Sequence, residues 1–212
     1  MKLYGFPPSP RTFKVLLTAN YLGLDYQLHI VDLTKGEQNE PQIAALNPNR
    51  KMPVLDDDGY VLWESNAIVQ YLASKRPEAG LLPEEIRARL HVVRWQFWES
   101  AHWDPACAIF VFERLVKPVL GLGEVSPAEI DRATTLFNRH AEVLEGELKT
   151  HRFVAGDHLT VADLSIGASM VLAERAQYPL EPYPAIRRWH AELAALPAWQ
   201  RTIGAELRAS AA

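Results

Sequence analysis

Lys2-Leu3-Tyr4-Gly5-Phe6-Pro7-Pro8-Ser9-Pro10 is the stretch on which the rest of the chain turns. Residues 2–6 are apolar and aromatic enough for a short buried strand, and the prolines after it end it. Ser9 is a good helix N-cap, with Pro10 at the first helical position, where its missing N–H costs nothing. Phe13, Leu16, Leu17 and Tyr21 then recur at three- and four-residue spacing until Gly23, which predicts a helix directly after the strand. A strand feeding at once into a helix opens an α/β unit.

Outward from that element, residues 26–33 read as a second strand. Asp56-Asp57-Asp58-Gly59 is a tight-turn signal between 53–55 and 60–62, so those two runs are expected to form a hairpin. Another helix starts near Ser65 and ends before Pro77. From Pro83 onward strand signals nearly vanish. Long segments with helical spacing take over, punctuated at 118–123, Gly156 and 179–184. Leu159-Thr160-Val161-Ala162-Asp163-Leu164 marks a helix start, with Thr160 and Asp163 as a capping box and Leu159 and Leu164 as a hydrophobic staple. Pro105 lies inside the helical stretch 84–115, where it should free the Ala101 carbonyl and kink the rod. The expected division is an α/β domain over 1–77 and an all-helical domain over 84–212.

With 212 residues, roughly half of them apolar, the chain can bury a sizeable core without staples. The single cysteine, Cys107, cannot form an intrachain disulfide and reads as a small buried hydrophobe. No Cys-rich metal framework is present, so a reducing compartment, the cytoplasm, is expected. The proline-broken N-terminus lacks the apolar core of a secretion signal, and no apolar run approaches a membrane span. A net charge of −4 without a basic footprint argues against nucleic acid as a partner.

Four motifs stand in order along the chain: the strand-to-helix element ending at Ser9, Asn47-Pro48-Asn49-Arg50-Lys51-Met52-Pro53-Val54-Leu55, the pair Glu64-Ser65, and the capping box at Thr160. Together with the element order they resemble the cytosolic glutathione transferase family along nearly the whole chain. The N-terminal motif is similar to that of bacterial, serine-type members with a phi- or theta-like start. The resemblance implies a thioredoxin-like N-terminal domain, an all-helical C-terminal domain and, usually, a homodimer. It also implies glutathione as co-substrate with no metal, its thiolate being conjugated to a small hydrophobic electrophile. Glutathione-dependent peroxide reduction, and a non-catalytic binding or regulatory module on the same fold, are the alternatives.

The chemistry to be explained is ionisation of a thiol whose pKa is about 8.5 when free. Lowering it by two units takes roughly 2.7 kcal/mol, within reach of one charge-assisted hydrogen bond plus a helix terminus. The resemblance places Ser9 as that donor, with Thr12, one turn on, as the rival hydroxyl. Tyr4 stands one residue early for the tyrosine-type alternative; by the two-residue period of a strand it faces the core, and Gly5 takes the matching position. Met52-Pro53 resembles the family's cis-proline step, which presents the backbone of Met52 to the ligand. Glu64 and Ser65, at a helix start, suit the γ-glutamyl end. Lys51 and Gln38, with Asn39 beside it, are the further glutathione contacts implied. Phe6, Pro8, His102 and Trp103 are expected to line the electrophile pocket, while Trp95 and Trp98 pack in the core. Asn49-Arg50 departs from the commoner Gly-containing turn.

Overall fold

A computed structural model describes residues 1–209, which form two compact units: residues 1–82 with the stretch from 194 onward, and residues 83–193. The first unit begins with β1 (Lys2–Gly5), α1 (Pro10–Tyr21) and β2 (Gln27–Ile30). A 3-10 turn (Glu37–Asn39) and α2 (Pro41–Ala44) lead to β3 (Val54–Asp57), β4 (Tyr60–Trp63) and α3 (Ser65–Ser74). The sheet order is β2-β1-β3-β4, with β1 parallel to β2 and the other pairs antiparallel. Asp58 and Gly59 join β3 to β4 with φ of 53° and 90°, the paired left-handed residues that a tight hairpin requires. This is the thioredoxin-like arrangement.

The period of two along β1 sorts its side chains. Leu3 is buried, as are Phe13, Leu16 and Leu17 of α1 and Ile68 and Leu72 of α3, and α1 packs along α3. Tyr4 joins a separate cluster of Val31, Met52, Val54, Leu33, Ile43 and Leu46, and stacks on His29 at 4.9 Å. Tyr4 is therefore a packing residue, as the strand period predicts.

The second unit is helical: α4 (Ile86–Trp98), a π-helical turn (Glu99–Trp103), α5 (Asp104–Val111), a second π turn (Phe112–Val116) and α6 (Lys117–Val119). It continues through α7 (Pro127–Thr150), α8 (Val161–Ala168), a 3-10 turn (Ser169–Leu172) and α9 (Pro184–Ala194). Pro105 lies in the first turn of α5, directly after the first π turn. The interruption expected of that proline thus takes the form of a locally widened helix. The capping box is complete: the Thr160 backbone N–H and hydroxyl donate to Asp163 Oδ2 at 2.9 and 3.0 Å, and Ala162 N–H donates to Thr160 Oγ1.

The last helix, α10 (Pro197–Ala209), belongs to the first unit and not to the helical one, so the block expected over 84–212 is cut at its end. Phe13 of α1 meets Trp199 edge-on at 4.9 Å, and Asn20 Nδ2 donates to Thr202 Oγ1 at 2.9 Å. Among the described residues no helix is long and apolar enough to cross a membrane.

Candidate functional site

Strand register gathers the candidate residues of the first unit at one end of its sheet. Tyr4, next to the end of β1, pairs with Val54, the first residue of β3, and Val54 pairs with Trp63, the last of β4. Gly5 pairs with Ile30, where β2 ends. The loop to Ser9, the Met52-Pro53 step, the Glu64-Ser65 start of α3 and the connection carrying Gln38 and Lys51 all leave the sheet from that end.

Ser9 closes a tight turn, its backbone N–H donating to the Phe6 carbonyl at 2.8 Å, and its carbonyl accepts the Phe13 N–H at 2.9 Å. It occupies the N-cap of α1 in extended conformation, yet its side chain makes no cap hydrogen bond. Half-buried, the hydroxyl sits at the positive end of a twelve-residue helix with no partner among the described residues. Thr12 is in a different position. It is buried against Gly5, and its Oγ1 accepts the Phe6 N–H at 3.1 Å, so the rival hydroxyl holds the β1–α1 loop in shape. Phe6 and Pro8 are half-buried in that loop.

The Met52-Pro53 peptide is cis, and both residues are buried. Asn47 holds the approach to it: its Nδ2 donates to the Lys51 carbonyl at 2.8 Å, while its Oδ1 accepts from the Asn49 backbone N–H at 2.9 Å and from Asn49 Nδ2 at 3.1 Å. Arg50 takes φ of 52° at the tip, the left-handed conformation that the commoner glycine would adopt without strain. Arg50 Nη1 reaches Asn39 Oδ1 at 3.4 Å, linking the tip to the 3-10 turn that carries Gln38. Lys51 is exposed with no ion-pair partner among the described residues. Gln38 Oε1 is buried and receives no hydrogen bond from them.

Glu64 stands at the N-cap of α3 with φ of 72°, left-handed for a side chain that gains nothing locally from it, since it makes no cap bond. Ser65 and Asn66 come next as the first helical residues. A lysine that the motif reading passes over lies beside them: Lys14 Nζ donates to Asn66 Oδ1 at 3.0 Å and to Ser65 Oγ at 3.3 Å. Its one sequence signal is a charge inside the run 13–17 of α1, whose other residues are apolar. Asn47 opens one of the four motifs but carries no expected role there, although an Asn-Pro pair marks a turn.

Of the residues expected around the electrophile, the two in the helical unit fare differently. His102 is exposed and stacks on His140 at 5.1 Å, and burial together with His102 lowers the His140 pKa. Trp103 is fully buried, 4.8 Å from Phe137 and stacked on Trp98 at 5.9 Å; it is a core residue of the second unit, where a cleft-lining position was expected. Trp95 is buried and Trp98 half-buried. Cys107 is buried as expected, and desolvation pushes its thiol well up, so it is no nucleophile. A separate cleft of about 410 Å³, lined by Met1, Leu24, Asp25, Asp57, Lys75 and Arg76, lies at the opposite end of β1. Among the described residues no three His, Cys, Asp or Glu side chains are placed to hold a metal.

Comparison with known proteins agrees with the geometry. The family model for the glutathione S-transferase N-terminal domain matches residues 1–74, and that for the C-terminal domain matches residues 127–192. Glutathione S-transferase 3 of Zea mays is 36% identical over 213 residues, covering 97% of this chain and 94% of that protein. The solved structure of glutathione S-transferase III in apo form superposes with a TM-score of 0.85 at 34% identity, over 96% of this chain and 95% of the other. That of glutathione S-transferase-I bound with lactoylglutathione gives 0.86 at 28% identity, over 95% and 97%. The two family models in chain order, the identity held over almost the whole of both chains and the shared fold agree, and the chain belongs to the glutathione S-transferase family.

Proposed function

We propose that this transferase seats glutathione at the loop end of its first unit, lowers the thiol pKa with the Ser9 hydroxyl, and delivers the thiolate to a small hydrophobic electrophile. The observation that carries the reading is the state of Ser9. A serine at an N-cap ordinarily accepts from the N2 or N3 amide through its oxygen; this one makes no such cap bond, so its rotamer is not tied to the helix and its O–H can turn to a sulfur at the positive end of α1. Met52, next to the cis-proline step, offers backbone groups to the cysteinyl residue as an added strand would. The γ-glutamyl carboxylate goes to Ser65 and the first amides of α3, with Glu64 meeting the ammonium. Lys51 takes the glycyl carboxylate, and Gln38 Oε1, buried without a donor, accepts from the ligand.

The bound lactoylglutathione of the second structural relative supports a glutathione conjugate as the ligand class. Phe6, Pro8 and His102 are the proposed contacts of the electrophile; Trp103 is not among them, because its ring is enclosed by the core. Ionisation alone contributes about thirty-fold at neutral pH, so holding sulfur and electrophile together must supply the remainder. The cytoplasm is the proposed address, and a homodimer the proposed assembly.

The test is an ultraviolet difference titration with glutathione at neutral pH, on wild type and Ser9→Ala. The expected outcome is a saturable thiolate absorbance in wild type. Ser9→Ala should keep glutathione affinity within a few-fold and lose most of that absorbance, because one charge-assisted hydrogen bond of about 1.5–3 kcal/mol is removed. Unchanged absorbance in Ser9→Ala would move the role to the backbone amides of α1. A folded wild type that binds no glutathione would sink the catalytic reading.

A further inference from the structure

Lys14 is 2% exposed, on a helix whose neighbouring residues 13–19 are all buried. Burying an ammonium is costly, and a leucine at this position would pack at no such cost. The side chain runs from α1 to the start of α3, where Nζ lies 3.3 Å from Ser65 Oγ and 3.0 Å from Asn66 Oδ1. Ile68 N–H is the first α3 amide bonded back into the helix, to the Glu64 carbonyl at 3.0 Å, so the amides of Ser65, Asn66 and Ala67 point out of its N-terminus. A positive charge therefore stands immediately behind a helix end that is itself positive. The Ser65 oxygen, by accepting from Lys14, has its own hydrogen turned away from Lys14, and a hydroxyl that accepts from a cation donates more strongly.

We propose that Lys14 is a positioning residue for glutathione: it orients and polarises the Ser65 hydroxyl toward the α-carboxylate of the γ-glutamyl group without touching the ligand. This rests on the proposed function, in which that carboxylate seats at Ser65. It has a chemical signature that a mere clamp between α1 and α3 lacks. Its effect is confined to ligands that carry the α-carboxylate.

The experiment is calorimetric titration of the full-length protein with two thiols, glutathione and 4-aminobutyryl-cysteinylglycine, which keeps the amine and lacks that carboxylate. Lys14→Gln, which retains a hydrogen-bonding amide and loses the charge, and Lys14→Met should each weaken glutathione binding about ten-fold or more, as expected for a lost interaction with a charged group. Binding of the decarboxylated analogue should change less than two-fold. Lys14→Arg should recover most of the glutathione affinity, and Lys14→Gln added to Ser65→Ala should cost little beyond Ser65→Ala alone, because both act through one hydroxyl. Equal weakening of both thiols, or unchanged glutathione affinity in Lys14→Met, would overturn the proposal. Should the Lys14 variants lose their fold by circular dichroism, Ser65→Ala decides. It leaves Lys14 in place and must show the same carboxylate-specific loss, and a loss on both thiols or on neither removes the hydroxyl that Lys14 is held to orient. A wild type that binds neither thiol removes the glutathione reading and this proposal with it, whereas tight wild-type binding with unaffected Lys14 variants removes this proposal alone.

Discussion

Gly5 and Thr12 meet so closely that Gly5 has no room for a side chain. A Cβ on Gly5 would fall 2.5 Å from Thr12 Cγ2 and 3.1 Å from its Oγ1, and Thr12 cannot swing aside without releasing the Phe6 N–H. Gly5→Ala should therefore destabilise the protein by about 1–3 kcal/mol, the usual cost of overpacking a core. Adding Thr12→Ser, which deletes the clashing methyl and keeps the hydroxyl, should return part of that loss; denaturant midpoints of the two proteins measure it. A double variant no more stable than Gly5→Ala would show that the clash is not with Cγ2. The same contact sets Thr12 apart from Ser9, to which it was the rival hydroxyl in the sequence. Both are hydroxyls at the start of one helix, and only burial, which depends on the neighbouring strand, separates them. Tyr4 and Gly5 were easier to tell apart, because alternation along a strand is local.

Local signals identify some elements fully and mislead on others. The Thr160 capping box is legible because each of its partners lies within three residues. What cannot be read locally is how much else converges on Asp163: its Oδ1 also accepts the Val154 N–H at 2.9 Å and the Trp189 indole N–H at 3.0 Å. Asp163→Asn turns one acceptor into a donor facing donors, and should cost about 2–4 kcal/mol at pH 7. The Asp163 carboxyl is raised from 3.8 to about 6: burial pushes it up, and the hydrogen bonds from Val154, Thr160 and Trp189 take back part of that rise. With the folded pKa above the unfolded one, the native state holds the proton more tightly. The resulting stabilisation is complete below about pH 4 and lost as pH rises through 6. The cost of Asp163→Asn should accordingly grow as pH falls from 7 to 4, by up to roughly 3 kcal/mol. Thermal or urea melts across that range check it, and a pH-independent cost would show that Asp163 stays ionised. Trp103 illustrates the opposite case. Its expected place on a cleft rests on its nearness to the Pro105 kink, but the interruption is a π turn, Glu99–Trp103, and Trp103, its last residue, is turned into the core. Nothing in the local composition announces that turn except Pro105 after it.

At the scale of the whole molecule, the order of strands and helices was legible from periodicity and punctuation, whereas the return of α10 to the first unit was not. That return depends on Phe13 with Trp199 and Asn20 with Thr202, pairs more than 180 residues apart that carry no mutual sequence signal. A second long-range property, self-association, can be argued from the surface. Ile86, Leu90 and Phe97 of α4 are 61%, 57% and 72% exposed. At about 100° per residue they fall within about 40° of one another, forming one apolar stripe along the helix. Such a stripe on a monomer would be an aggregation liability; a second copy of the chain, as the family resemblance implies, would cover it. Sedimentation at micromolar concentration should give a mass near twice 23.9 kDa, and Phe97→Glu should shift the protein to the single-chain mass while leaving its circular dichroism unchanged. A wild type that sediments as a single chain would remove the homodimer. A Phe97→Glu protein that remains dimeric would move the interface to another surface, such as the edge strand β4, where Tyr60, Val61 and Trp63 are exposed.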